Sequence, residues 1–249
     1  MYRIDVLVQG FPGKAVCHGG LGWSTIALLR GEGRCILIDV GAFGVRKPLA
    51  RQLAARGVKP EDITDVVLTH AHYDHAVNFT LFPRATVWIG EEELRWAAAQ
   101  PPGFDPLPEL YVAALNQNPE VRRIRDGEEF LPGLHAMLAP GHTPGCLVFH
   151  LTANETPVIF TGDAAKNRAE LLCGRADMSE DEAATARSIA AIWELWRQVP
   201  GTLVIPGHDL TLRLDENGRA DYVGTRDAAI AAWFGEDIEH TTRFELRCD

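Results

Sequence analysis

Short apolar runs separated by turn residues recur through the first half of the chain. Three of these runs predict paired strands: residues 4–9, 24–29 and 35–40. The spacing then becomes helical, with Leu49 and Leu53 on one face and Gly57 as the stop, before an apolar strand at 65–69. The pattern therefore predicts an α/β fold in which strands and helices follow one another.

The second half of the chain continues the strands and adds a long helix. After a strand at 85–89 and a helix at 91–99, residues 101–108 carry four prolines and predict a surface loop. The longest helix signal begins with a capping box at Ser179 and runs to Val199. The tail predicts two further elements, a helix near 226–233 and a last strand at 244–246.

Composition bounds the classes of function. With 249 residues and 46% hydrophobic residues, the chain has the size and the apolar content of a single domain with a large core, and we expect one domain over 1–249. The net charge of −10 repels phosphate backbones, so nucleic acid is not an expected partner. The N-terminus does not resemble a signal peptide and no stretch reaches the length of a membrane span, so we expect a cytoplasmic protein with no membrane contact.

Histidine is concentrated in one short segment of the sequence. Of nine histidines, three lie in His70-Ala71-His72-Tyr73-Asp74-His75, directly after the predicted strand at 65–69. His142, Asp163 and His208 occur in a similar setting, each after an apolar run and a glycine. Strand ends bring distant segments to one edge of a sheet, so we predict these metal ligands: His70, His72, Asp74, His75, His142, Asp163 and His208.

The residue types of this set limit the metal. Imidazole and carboxylate suit zinc, and also iron or manganese. The five cysteines are scattered, show no CxxC spacing and lie outside the set, which excludes a cysteine-based metal site.

The four ligand-bearing segments resemble the motifs of the metallo-β-lactamase superfamily: residues 69–75, 140–145, 161–163 and 206–209. The likeness covers residues 4–210 and leaves 211–249 as a C-terminal extension. It implies an αββα four-layer sandwich of two mixed β-sheets flanked by helices. Asp39, in the segment 37–41, resembles a residue beneath the site that supports the ligands rather than one that binds metal.

The resemblance also implies a dinuclear site. One zinc ion would take His70, His72 and His142, the other would take Asp74, His75 and His208, and Asp163 would bridge the two. A hydroxide held between such ions is the nucleophile that the family uses, and Asp74 and Asp163 are the expected catalytic carboxylates. We therefore expect a hydrolase acting on a small-molecule ester, lactone or thioester, as lactonases and glyoxalase II do.

Two other activities of the superfamily stay open. Persulfide dioxygenases keep one iron, and they resemble this chain in Gly145-Cys146 and in residues 173–177. A ribonuclease is the second alternative, because residues 6–10 and 78–83 resemble a branch linked to RNA processing. The sequence leaves the oligomeric state undetermined.

Five residues are candidates for contact with the substrate: His18, Trp23, Tyr73, Lys166 and Arg168. His18 and Trp23 flank a glycine-rich segment that is either a wall of the pocket or a loop elsewhere. Tyr73 either takes part in catalysis or packs beneath its loop. Lys166 and Arg168 either bind an anionic group or belong to a solvated loop.

Overall fold

The computed structural model describes residues 1–17 and 20–246, in which strands dominate the first and third quarters. A first sheet contains six strands in chain order: β1 (Tyr2–Val8), β2 (Ile26–Gly31), β3 (Arg34–Ile38), β4 (Asp65–Val67), β5 (Thr86–Gly90) and β6 (Arg122–Ile124). A second sheet contains the next seven: β7 (Glu129–Leu131), β8 (Leu134–Leu138), β9 (Leu147–Leu151), β10 (Val158–Gly162), β11 (Leu203–Pro206), β12 (Leu212–Leu214) and β13 (Ala220–Tyr222). A separate hairpin follows, made of β14 (Ala229–Ala232) and β15 (Thr242–Glu245).

Six α-helices connect these strands within the described residues: α1 (Arg46–Ala55), α2 (Tyr73–Ala76), α3 (Glu91–Ala98), α4 (Glu109–Gln117), α5 (Arg168–Cys173) and α6 (Glu182–Gln198). Both large sheets are mixed. The first is antiparallel from β1 to β3 and parallel from β3 to β6. In the second, β10 and β11 are parallel and the remaining pairs are antiparallel.

Three apolar layers hold the sheets and helices together. Adjacent residues of β2 show why, because side chains alternate across a strand: Leu28 faces the layer shared with α1, α3 and α4, whereas Leu29 faces the layer between the two sheets. On the far side of the second sheet, Ile192 and Trp196 of α6 pack against Ile159 of β10. The order helix, sheet, sheet, helix is the predicted four-layer sandwich, which is confirmed.

Strand register determines which loop residues become neighbours. Ile38 of β3 pairs with Val67 of β4, so the residues that follow both strands meet at one sheet edge. In the second sheet, Gly162 pairs with Pro206 across the parallel strands β10 and β11. The first pairing sets the segment after β3, with Asp39, beside the ligand-bearing segment after β4, and the second sets the segments that carry Asp163 and His208 side by side.

The departures of the structure from the sequence-based prediction include three instructive elements. Helix α4 was not predicted, and it starts directly after Pro108 without a side-chain cap. Helix α6 begins at Glu182 with Asp181 as its cap, because the Ser179 hydroxyl donates to the Gly141 carbonyl instead. The prediction of a helix near 226–233 is wrong, because Ala229–Ala232 forms a strand.

The C-terminal error has a physical cause. The segment Ala229-Ile230-Ala231-Ala232 has a high helix propensity, but pairing with Thr242–Glu245 overrides it. The predicted strand at 244–246 overlaps the second strand of that pair. Within the described residues, no helix combines the length and apolar character that crossing a bilayer requires.

Two leucines provide a matched test of the core. Leu28 is fully buried in a central strand and Leu110 is 80% exposed on α4. We expect Leu28→Ala to lower the free energy of unfolding by about 2–5 kcal/mol, because it leaves a cavity in a packed layer. Leu110→Ala should change it by less than about 0.5 kcal/mol. Urea denaturation measures both, and equal effects would contradict the assignment of Leu28 to the core.

Candidate metal centre

The seven predicted ligands converge in the structure, and all except Asp74 are buried. Their potential metal-binding atoms form three groups, and within each group these atoms lie within 4.8 Å of one another. The groups are His70 with His72 and His142, His70 with His75 and Asp163, and Asp74 with His75 and His208. The first and third groups match the two metal sites that the family resemblance implies. We call them the His70 cluster and the Asp74 cluster.

Loops and one short helix at strand ends deliver these side chains. His70 and His72 lie in the loop after β4, and Asp74 and His75 lie on α2. A backbone hydrogen bond of 2.9 Å from Leu147 N–H to the Thr69 carbonyl joins the second sheet to the first beside His70. The loop that carries His142, between β8 and β9, is therefore held next to the loop after β4.

Glycine at position 207 permits a close approach between two of the strand ends. A Cβ atom on Gly207 would lie 2.3 Å from Asp163 Oδ1 and 2.6 Å from the Gly162 carbonyl oxygen, so no larger residue fits without a shift. This contact sets His208 beside Asp163. The recurring pattern of an apolar run, a glycine and then a ligand thus has a steric reason here.

The carboxylate of Asp163 lies between the two clusters. Its Oδ2 is 3.4 Å from His142 Nε2 of the His70 cluster. Its Oδ1 is 3.1 Å from His75 Nε2 and 3.3 Å from His208 Nε2, both of the Asp74 cluster. A carboxylate with one oxygen toward each cluster has the placement that a bridging ligand requires.

The nitrogen and oxygen atoms at the centre of the site are arranged to bind a cation rather than to form hydrogen bonds with one another. His70 Nε2 and Asp163 Oδ1 are buried, and neither makes a hydrogen bond within the described part of the chain. The short contacts of Asp163 Oδ1 with the two imidazoles therefore lack hydrogen-bond geometry. Buried polar atoms without partners are costly, and a cation between them removes that cost.

In three imidazoles, the ring nitrogen that points away from the centre of the site is hydrogen-bonded, which fixes the orientation of the ring. His70 Nδ1 pairs with Thr69 Oγ1 at 3.0 Å, and His142 Nδ1 donates to the Met178 carbonyl at 2.7 Å. His75 Nδ1 donates to Asp39 Oδ2 at 2.8 Å. Partners of this kind orient metal-binding histidines, and Asp39 has the supporting position that the sequence predicts.

Burial lowers the pKa of the histidines in the His70 cluster. It brings the pKa of His72 to about 3, aided by the nearby His142 imidazole. It brings the pKa of His142 to about 4, although the Asp163 carboxylate opposes it. Burial also holds the pKa of His70 well below the ordinary value. These imidazoles are neutral near pH 7, the form that binds metals.

The Asp74 cluster has the opposite electrostatic character. Burial opposes charge on His208, but the carboxylates of Asp163 and Asp74 raise the pKa of His208 to about 9, and they raise that of His75 as well. Burial likewise opposes ionisation of Asp74, but His75 and His208 lower its pKa to about 2. The two carboxylates thus attract positive charge to this cluster, from protons or from a metal cation.

A cavity of about 330 Å³ opens over both clusters. Tyr73 and Lys166, two of the predicted substrate-binding residues, line it. Trp23 does not appear among the lining residues and stacks on Phe11, which does. The Arg168 guanidinium points elsewhere and donates to the Ala220 carbonyl at 2.8 Å. His18 lies outside the described residues, and substrate contact by any of these residues stays a prediction.

Several lining residues were not singled out from the sequence. They come from segments far apart in the chain: Phe11, Pro12 and Lys14 from the glycine-rich segment, Pro106 from the proline-rich loop, and Glu170, Asp177 and Met178 from α5 and the loop after it. The glycine content of residues 10–22 was the one available signal, since it indicates a loop able to cover a site. The other segments carry no such signal.

Comparison with known proteins agrees with the motifs. Residues 19–208 match the family described as the metallo-beta-lactamase superfamily. The chain is 30% identical over 197 residues to human "Metallo-beta-lactamase domain-containing protein 1", covering 78% of this chain. That alignment spans 65% of the human protein's own length.

Two further comparisons extend the likeness. A hydroxyacylglutathione hydrolase of Fuscovulum blasticum is 28% identical over 181 residues, covering 72% of this chain and 58% of that protein. Among solved structures, the dizinc quorum-quenching lactonase AidC superposes with a TM-score of 0.68 at 18% identity, covering 82% of this chain and 80% of the lactonase. At 18% sequence identity, the structural likeness supports the assignment of the fold and nothing further.

Replacing Asp163 tests the convergence of the two clusters. We expect Asp163→Ala to weaken the binding of both metal ions by more than about 100-fold, because it removes a donor that faces each cluster. Asp177→Ala, which removes a half-exposed carboxylate from the wall of the same cavity, should leave metal binding unchanged. Competition with a chromophoric chelator measures both. Wild-type affinity for two ions in Asp163→Ala would show that Asp163 is not the bridge.

Proposed function

The chain belongs to the metallo-β-lactamase superfamily, and on that basis we propose that it is a dinuclear metal-dependent hydrolase of a small ester, lactone or thioester. One observation carries the proposal: two clusters of imidazole and carboxylate donors lie on either side of Asp163. A site with only one metal needs no second cluster. The complete Asp74 cluster therefore favours two ions over the single iron of a persulfide dioxygenase.

The residues that would hold the ions follow from the clusters. His70, His72 and His142 would hold one, Asp74, His75 and His208 the other, and Asp163 both. When bound, two zinc ions supply Lewis acidity and make hydroxide available near neutral pH. The donor set also accepts iron or manganese.

Asp74 is the carboxylate better placed to move a proton. Both carboxylates line the cavity, but the Asp74 side chain keeps 17% of its surface exposed, compared with 6% for Asp163. Asp163 is enclosed by imidazoles and serves to hold the clusters together. In the proposed reaction Asp74 therefore accepts the proton of the attacking hydroxide once the new C–O bond has formed and passes it to the leaving group, and Asp163 fixes the geometry.

The wall of the cavity suits a small substrate with an apolar part. Phe11, Pro12, Pro106 and Met178 supply apolar surface beside the ligands. The two lysines of the described lining are both engaged by carboxylates: Lys14 pairs with Asp177, and Lys166 Nζ lies 3.1 Å from Glu170 Oε1.

A polyanionic substrate needs several unpaired cationic side chains around it, and the described residues of this wall do not provide them. Together with the net charge of −10, the paired lysines argue against RNA as the substrate. The hydroxyacylglutathione hydrolase and lactonase relatives support a carbonyl substrate, since a thioester or lactone carbonyl is attacked readily by hydroxide.

Metal content tests whether the protein binds two metal ions, as the proposal requires. Purified protein should contain about two equivalents of a first-row transition metal, with zinc expected, and a chelator should remove both the metal and the activity. Elemental analysis before and after dialysis against chelator gives the ratio. A ratio near one, with iron alone, would contradict the dinuclear site and favour the persulfide dioxygenase alternative.

A panel of substrates tests the proposed substrate class. We expect hydrolysis of lactones, aryl esters or thioesters, and little turnover of β-lactams or single-stranded RNA, because the first group needs the least help in expelling its leaving group. Zinc-loaded and iron-loaded protein should be assayed side by side, with oxygen uptake on glutathione persulfide as the control. Turnover of RNA alone, or oxygen uptake alone, would overturn the proposed substrate class and leave the metal centre intact.

A further inference from the structure

Glu93 is a fully buried carboxylate beside the metal centre that the reaction does not use. It lies in the first turn of α3, where Glu91, Glu92 and Glu93 follow one another. Acidic residues in a first turn usually complement the helix dipole from the surface. Glu93 instead has 0% of its surface exposed, and no basic side chain in the described residues pairs with it. A buried carboxylate without a cation needs another source of stabilisation.

Hydrogen bonds from two ligand loops supply that stabilisation. Glu93 Oε1 accepts the backbone N–H of Ala71 at 2.9 Å, and Ala71 lies between His70 and His72. Glu93 Oε2 accepts the Thr143 hydroxyl at 2.6 Å, and Thr143 directly follows His142. One carboxylate therefore joins the two chain segments that contribute the His70 cluster.

Backbone packing reinforces this junction. The backbone N–H of Gly145 also lies close to Glu93 and favours its charged form. A Cβ atom on Gly145 would lie 2.1 Å from the Glu93 backbone nitrogen, so the loop that carries His142 rests directly on the start of α3. Burial raises the pKa of Glu93 to about 7, although all three donors favour the ionised form. The junction is thus close-packed and also polar.

The Asp74 cluster depends on a different carboxylate. Asp39 accepts from His75 Nδ1 and from the backbone N–H of Thr69, each at 2.8 Å. The Thr69 hydroxyl also donates to Asp39 and pairs with His70 Nδ1. Asp39 therefore reaches both clusters, whereas the hydrogen bonds of Glu93 reach only the loops of the His70 cluster.

We propose that Glu93 is a positioning residue that sets the metal affinity of the His70 cluster and leaves the Asp74 cluster unaffected. The inference rests on the proposed metal centre but on no particular substrate. Substituting Gln keeps the size of the side chain. The amide of Gln is neutral and accepts only through its oxygen, however, so it cannot offer both the Ala71 N–H and the Thr143 hydroxyl the charged acceptor that the carboxylate provides.

Metal titration of Glu93→Gln in competition with a chelator tests the proposal. Loss of a supporting hydrogen-bond partner typically weakens metal binding by about 10–100-fold, and we expect a loss of this size for one ion only. The second ion should bind within about threefold of wild type. Glu92→Gln is the matched control, since Glu92 is the exposed neighbour that pairs with Arg95, and it should bind both ions as wild type does.

A ligand variant assigns the affected ion. His142→Ala should remove the ion of the His70 cluster, and adding Glu93→Gln to it should then have no further effect on the remaining ion. Equal weakening of both ions by Glu93→Gln, wild-type affinity for both, or a further loss in the double variant would each overturn the proposal.

Variants of Thr143 separate positioning from a general effect on folding. Thr143→Val removes the hydroxyl that Glu93 accepts and should weaken the same ion, whereas Thr143→Ser keeps the hydroxyl and should restore its affinity. Thermal unfolding without metal should show both variants folded. If Thr143→Ser binds this ion as weakly as Thr143→Val, the hydrogen bond is not the cause and the proposal fails.

The outcome is independent of the substrate panel. A protein that hydrolyses nothing on the panel, but loses one ion in Glu93→Gln, would contradict the proposed function and support the role of Glu93. A wild-type protein that binds a single ion would contradict the dinuclear hydrolase. The role of Glu93 would then stand only if Glu93→Gln weakened that ion.

Discussion

The compensation of buried charge at the convergent strand ends is the constraint on which the rest of the structure depends. Asp163 is buried among imidazoles, and the pKa of this carboxyl stays well below its ordinary range, despite burial, because of His208 and His75. Taking such groups out of water is costly unless partners are fixed around them. The fold meets the cost with donor atoms from four strand ends. A metal pair fits the same arrangement, since the atoms that remain unsatisfied face the centre.

The sheets supply the rigidity that this arrangement needs. Pairing of β10 with β11 sets Asp163 beside His208, and the bond between Leu147 and Thr69 links the two sheets at His70. Further polar groups, including Asp39 and the Met178 carbonyl, then fix the orientation of three of the five imidazoles. A ligand set held only by loops would relax when the metal left. Here each loop is anchored within a few residues of a strand, which limits how far the candidate ligands can move apart.

Sequence patterns predicted most of the strands and the set of candidate ligands because both follow local rules, whereas the four-layer sandwich was implied by the resemblance to the family. Alternation within strands, the cluster at residues 70–75 and the glycine before His142, Asp163 and His208 are each visible in a single segment. The missed features depend on distant partners. Helix α4 carries no cap, Ser179 is drawn away to Gly141, and the helix-forming stretch at 229–232 pairs as a strand. Glu93 fits the usual role of a first-turn acid, and only the approach of the loop at Thr143 reveals its inward orientation.

Parts of the chain outside the family motifs support the wall of the cavity. Asp209, next to His208, is buried and accepts from Tyr222 at 3.2 Å and from Arg226. The Arg226 guanidinium in turn lies 5.5 Å from the Phe11 ring, which forms part of the cavity wall. Both Phe11 and Arg226 lie outside the residues 19–208 that match the family. The C-terminal extension is therefore connected to the wall through a buried carboxylate beside His208, so a change in this tail can alter the wall without altering the predicted metal ligands.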